Sequence, residues 1–297
     1  MTKQTQYLDE LSNQIISLME EHGANWKQPW VENAKYPRNI STKNWYQGIN
    51  VINLMISQYR NGFGSSEWGT FKQWNNAGCL IKAGEKSKAM SVFYKQTIVE
   101  DDNGKERAFP FMNVVPIFNA DQVEGYTPDT TETDRPFNDY VNVERFISSA
   151  NPNINNNASL AAYNPARDEI LMPPKSAFVD QGEATAKQHY YSTFLHELVH
   201  WTGSAKRCDR KVIFDKAREE YAQEELVAEF GSAMLCAMLN VTTTPMDDHA
   251  KYLNYWVKFI SNNKKALKKA ITDAQKAVQY LDGQQASSVL PTQIAAE

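Results

Sequence analysis

The run His196-Glu197-Leu198-Val199-His200 carries the most specific chemistry in the chain. On a helix, a four-residue interval returns side chains to one face, so His196 and His200 could hold one Zn²⁺ between their imidazoles. Mn²⁺ or another divalent ion suits the same donors. Glu197, one step round, is placed to act as general base on a metal-polarised water. His189 precedes them on the same helix and is read as a packed core histidine. His22 and His249 are read as helix-terminal residues.

Such a site needs a third protein ligand. The run Tyr221 to Leu235 offers Glu224, Glu225 and Glu229. Glu229 is the first choice, because Val227, Ala228, Phe230, Gly231 and Ala233 surround it, and a carboxylate among apolar residues calls for a cation. Glu225, one turn earlier on the same face, is an alternative ligand or a supporting partner. Glu224 is offset by about 100° and is expected to face solvent unless the register differs. The small residues after Glu229 are expected to let this helix approach the histidine helix closely.

A second signature lies nearer the N-terminus. Residues 35–95 hold nine lysines and arginines but only Glu67 and Glu85, in a chain whose net charge is −4. Lysines that track phosphates, interleaved with aromatic faces for unpaired bases, are what single-stranded DNA binding requires. The candidate contacts are Lys43, Trp45, Tyr46, Lys72, Trp74, Lys82, Lys86 and Lys88. Tyr59, Phe71 and Phe93 are read instead as core. The lysine cluster Lys264-Lys265 and Lys268-Lys269 reads as a solvated helix face.

The elements that must position these residues follow from periodicity. Apolar spacing predicts helices over Gln6–His22, Gly48–Tyr59, Thr70–Asn76 and Val141–Ala150. Strands are predicted at Met90–Tyr94 and Phe111–Phe118, about a turn at Asp101–Gly104. Asn151–Asn157 reads as loop. Ala161–Tyr163 and Glu169–Met172 read as a short hairpin, and residues 185–282 are helical in pattern. Asn119–Tyr140 is acidic and reads as a linker, which places a domain boundary near residue 130 and predicts separate cores for residues 1–130 and 131–297. The fold class is α+β, with an α+β first domain and a mainly helical second domain bearing a small sheet.

Composition bounds the function classes. The 297 residues are 42% hydrophobic and 22% charged, which suits a globular protein. Three cysteines without close spacing exclude a disulfide framework or cysteine zinc cage and suggest a reducing compartment. Neither a signal peptide nor a membrane-spanning run is evident, so a cytoplasmic protein with no membrane partner is expected.

These residues together resemble the plasmid antirestriction protein ArdC and its relatives, including the N-terminal region of TraC-type conjugative primases. In the first half the resemblance rests on Asn39-Ile40-Ser41-Thr42, Tyr46 to Asn50, Trp68 to Gln73 and Gly78 to Tyr94. In the second it rests on Asp168 to Pro174, His196 to Gly203, Glu224 to Glu229 and the run from Tyr252 to Ala277. The resemblance implies an N-terminal single-stranded-DNA-binding domain and a C-terminal zincin-like metallopeptidase domain. It also implies a role in plasmid conjugation, protecting incoming DNA from host restriction, with a restriction component or another protein as substrate. The rival reading is a non-enzymatic DNA-protecting protein whose metal site is structural or vestigial. Primase activity is not implied, because the primase region has no counterpart.

Overall fold

The computed structural model describes residues 3–23, 29–31, 36–100, 106–127, 140–180, 184–210, 219–243 and 249–285. Helix α1 (Lys3–His22) buries Tyr7, Leu11, Ile15, Leu18 and Met19, at the three- and four-residue intervals of one helix face. Helix α2 (Ile49–Asn61) ends at Gly62, whose φ of 64° is the left-handed conformation that closes a helix. Helix α3 (Phe71–Asn76) begins with a reciprocal cap between Thr70 and Gln73.

Four strands form the first sheet: β1 (Arg38–Asn39), β2 (Glu67–Gly69), β4 (Ala89–Glu100) and β5 (Glu106–Asn119), in the order β1-β2-β5-β4. The β4–β5 pair is an antiparallel hairpin with Ala89 opposite Ile117 and Glu100 opposite Glu106. Its expected turn, Asp101–Gly104, lies outside the described residues. Helix α2 covers the other edge of β4 with amide side chains: Asn50 donates to the Val92 carbonyl and accepts its N–H, both at 2.7 Å. Asn53 donates to the Met90 carbonyl at 2.7 Å, so an edge that would otherwise present bare main chain is satisfied. A smaller pair joins β3 (Leu80–Ile81) to β6 (Val123–Glu124).

The second half opens with α4 (Val141–Ala150) and a three-stranded sheet of β7 (Asn153–Asn155), β8 (Ala162–Asn164) and β9 (Glu169–Leu171). Its order is β7-β9-β8, with β7 parallel and β8 antiparallel to β9. The stretch expected as loop therefore contains a strand, because Ile154 pairs with Ile170 and brings the polar run into register. Four helices follow: α5 (Ala186–Thr202), α6 (Glu219–Leu239), α7 (His249–Asn262) and α8 (Lys264–Gly283). The architecture is mixed α+β.

Two expectations about the boundary need correction. One apolar cluster joins Leu18 of α1 and Met55 of α2 to Leu195 of α5, Leu226 of α6 and Ile271 of α8, so the halves share a core. The Gly48 N–H also donates to Gln275 Oε1 of α8 at 2.7 Å. The start of the acidic stretch belongs to the fold as well: Asp121 Oδ2 accepts the Gly64 N–H at 2.6 Å, and β6 follows directly. Residues 128–139, with the expected boundary at 130, lie outside the described residues. No described helix is long and apolar enough to cross a membrane.

Candidate metal centre and nucleic-acid surface

Thr185 and Gln188 cap α5 reciprocally, and every residue from Tyr190 to Thr202 is buried. A helix enclosed all round has no polar face, which is why its sequence is apolar on both sides of the histidines. Helix α6 comes very close at Gly231, where an added Cβ would lie 2.8 Å from Val199 Cγ1.

The two imidazoles turn their Nε2 atoms toward one carboxylate. His196 Nε2 lies 3.5 Å from Glu225 Oε2, and His200 Nε2 lies 3.6 Å from Glu225 Oε1. One donor atom from each of these three residues falls within a mutual distance of 4.8 Å. The remaining ring nitrogens face the other two carboxylates: His196 Nδ1 is 3.5 Å from Glu229 Oε1 and His200 Nδ1 is 3.2 Å from Glu224 Oε1. The geometry thus brings Glu225, the alternative to the first choice Glu229, to the Nε2 side of both rings. Glu229 is buried as expected, but it lies nearest Nδ1 of His196, and Glu225 lies near both Nε2 atoms. Glu224, expected to face solvent, is buried because Arg210 meets it from the chain that follows α5.

Charge and donor chemistry fit a divalent cation here. Burial alone would lower the His196 pKa, yet Glu225, Glu229 and Glu197 outweigh it and hold it at about 9. Burial likewise pushes Glu225 up, but His200 and His196 outweigh it and bring it to about 2. A divalent ion would supply the two positive charges that two protonated imidazoles otherwise supply, and leave the His200 Nδ1–H directed at Glu224.

Glu197 is also buried, and its Oε2 accepts the main-chain N–H of Tyr163 on β8 at 2.8 Å. The Tyr163 hydroxyl donates to Asp168 Oδ1 at 2.9 Å, and Arg207 Nη1 donates to Asp168 Oδ2 at 3.1 Å. Arg207 is itself stacked on Trp201, 3.8 Å from the ring centre. Neither Arg207 nor Arg210 is signalled by the sequence, since both sit in a stretch whose pattern reads as continuous helix. A cavity of about 370 Å³ lined by Glu144, Tyr190 and Phe194 lies elsewhere on α5 and includes none of these ligands. His189 is edge-on to Phe178, away from the cluster.

On the first half, Lys43, Lys72, Lys82, Lys86 and Lys88 are exposed. Lys82 donates to the Asp121 carbonyl at 2.7 Å, and Lys43 lies 3.9 Å from Glu67. Trp45 and Tyr46 are half-buried: Trp45 is edge-on to Tyr36 with Arg38 above it, and the Tyr46 hydroxyl accepts from Asn39. Trp74 cannot stack on a base. It is fully buried, its Nε1–H donates to the Phe118 carbonyl, and its ring meets Tyr126 edge-on. Phe71, three residues earlier and expected in the core, is 57% exposed beside Lys72. Tyr59 and Phe93, also expected inside, are exposed too. The expected burial of Trp74 and Phe71 is exchanged because α3 packs its 74 side onto the sheet.

Comparison with known proteins covers both halves. A family model described as the N-terminal domain of anti-restriction factor ArdC matches residues 5–143, and one described as a zincin-like metallopeptidase matches residues 141–273. The metal-free crystal structure of antirestriction ArdC from plasmid R388 is 30% identical with a TM-score of 0.75, covering 93% of this chain and 97% of that one. The chain belongs to the ArdC antirestriction family. The Mn(II)-bound structure of the same ArdC gives 31% identity and a TM-score of 0.74, with 94% and 98% covered. Protein y4eC of Sinorhizobium fredii, itself uncharacterized, is 30% identical over 96% of this chain and 94% of its own. DNA primase TraC of Escherichia coli is 29% identical over 91% of this chain, which spans only 19% of that primase. The family's two parts, an ArdC N-terminal domain and a zincin-like domain, therefore sit here on one shared core.

Proposed function

We propose that this protein protects incoming single-stranded DNA from restriction in the cytoplasm of a recipient cell, and that its second half is a metal-dependent peptidase. The observation that carries the reading is the convergence of His196 Nε2, His200 Nε2 and Glu225 beside Glu197. These three residues would hold Zn²⁺ or Mn²⁺, the latter being the ion in the R388 relative. A bound ion would supply Lewis acidity toward a peptide carbonyl. Glu224 would hold the Nδ1 proton of His200 and so fix which nitrogen of that ring faces the ion, while Glu229 sets a carboxylate charge beside His196 Nδ1. Glu197 takes the proton of the attacking water on the carboxylate oxygen that Tyr163 does not hold, and returns it to the leaving amine nitrogen. The peptide cut would belong to a restriction component or another protein of the recipient.

Single-stranded DNA would lie on the first half, with Phe71 offering a stacking face and Lys72, Lys82, Lys86 and Lys88 meeting phosphates. Lys43, Trp45 and Tyr46 would form the rim of that surface. The test pairs binding with protection. The purified protein should prefer single-stranded to duplex DNA and lose affinity steeply with salt. In a mating assay, Glu197→Gln should keep metal and DNA binding and fail to protect. Full protection by that variant would sink the hydrolytic part and leave the site a structural one.

A further inference from the structure

We propose that Arg210 is a positioning residue for the metal site: it fixes the Glu224 carboxylate, which in turn aims His200 Nε2 at the ion. The inference rests on the metal-site reading above. Arg210 Nε and Nη2 donate to Glu224 Oε2 and Oε1 at 3.0 and 2.8 Å, the two-pronged geometry in which a guanidinium holds a carboxylate plane. The same Oε1 lies 3.2 Å from His200 Nδ1. Both charged side chains are nearly closed to water, at 8% and 6% exposure, so neither has solvent as a substitute partner.

The backbone brings Arg210 there by reversing after the helix. Asp209 takes a φ of 48°, the Cys208 N–H returns to the Thr202 carbonyl, and the Arg210 N–H returns to the Gly203 carbonyl at 2.9 Å. Arg210 also donates to the Val199 carbonyl at 2.8 Å and to Thr202 Oγ1 at 2.9 Å. Those contacts tie Arg210 to the last turn of α5, where the Val199 carbonyl also accepts the Thr202 hydroxyl at 2.6 Å, so a purely structural role as a helix cap is the competing account. The two accounts differ in what metal binding reports. A cap supports the fold with or without an ion. A positioning residue sets the direction of one donor, and loss of such partners typically costs roughly 10–100-fold in metal affinity.

The experiment uses the full chain stripped by chelator, with Mn²⁺ or Zn²⁺ affinity measured by competition against a chromogenic chelator. Arg210→Met should weaken binding roughly 10–100-fold and Arg210→Lys by less, because lysine keeps the charge but not the fork. The double variant Arg210→Met with Glu224→Gln leaves no unpaired buried carboxylate, so it is the form to use if the single variant does not fold. It should bind metal no more weakly than Glu224→Gln alone, since Arg210 acts through Glu224. Unchanged affinity in folded Arg210→Met or Arg210→Lys overturns the inference, as do additive losses in the double variant. If the unaltered protein binds neither ion, the metal reading itself falls, and the inference with it.

Discussion

Glu197 Oε2 accepts the main-chain N–H of Tyr163 at 2.8 Å, so the backbone of β8 anchors the side chain proposed as general base. An anchor made of main chain is indifferent to the side chain that carries it. The Tyr163 hydroxyl serves a different purpose, joining Asp168 and Arg207 in the link between the β8–β9 turn and the end of α5.

Tyr163→Phe should therefore leave metal affinity and protection unchanged while lowering the melting temperature. The loss is the hydrogen bond to the Asp168 carboxylate, about 1.5–3 kcal/mol in general, together with the longer one accepted from Arg207. At this chain length that corresponds to a few degrees, roughly 2–4 °C per kcal/mol. Calorimetry beside a metal titration checks it, and a drop in metal affinity would show that the hydroxyl matters to the site.

Gly231→Ala tests how tightly α6 must approach α5. The new methyl would lie 2.8 and 2.9 Å from the two Val199 methyls, on the turn between the histidines. Alanine favours a helix over glycine by about 1 kcal/mol, but overpacking of this kind costs roughly 1–3 kcal/mol. The expected net result is a lower melting temperature and weaker metal binding, both recovered when Val199→Ala makes room. A rise in melting temperature for Gly231→Ala would show that the helices separate freely.

Much of this site is legible in the residues themselves. The interval between His196 and His200 places two imidazoles together, and the acid-rich helix announces that carboxylates will meet them. The order among Glu224, Glu225 and Glu229 is not legible, because all three lie within two turns and the choice depends on how far α6 slides along α5. Nor is Arg210, whose position depends on one reversed backbone step at Asp209. In the first half, the hairpin and its edge-covering helix follow from local pattern. The exchange of Trp74 and Phe71 does not, since a six-residue helix carries too few turns to declare which aromatic faces inward. The shared core is likewise invisible locally: composition marks the acidic stretch but says nothing of Gly48 meeting Gln275.

That exchange gives a paired expectation. Trp74→Ala empties a fully buried site and should destabilise the fold by roughly 3–5 kcal/mol. Phe71→Ala should leave the melting temperature nearly unchanged and weaken single-stranded DNA by about 1–3 kcal/mol. Thermal melts with fluorescence anisotropy on a labelled oligonucleotide separate the two. Unaltered DNA affinity in Phe71→Ala would remove it from the binding surface.

The link at Asp168 makes a pH-dependent contribution whose sign follows from its partners. The Arg207 hydrogen bond, together with the Tyr163 hydroxyl and the charges of Arg207 and Lys206, outweighs partial burial and holds the carboxyl below its ordinary value. A carboxyl depressed in the folded state binds its proton more readily in the unfolded chain, so the contribution is complete above about pH 4, the ordinary aspartate value. It is lost as pH falls through the lower, folded value. Asp168→Asn removes the charge without new backbone strain, because asparagine tolerates the φ of 50° found there. Denaturant unfolding from pH 7 down to pH 3 should show the variant less stable at neutral pH and the gap narrowing in acid. A gap that stays constant across that range would mean the residue acts through shape and not through its charge.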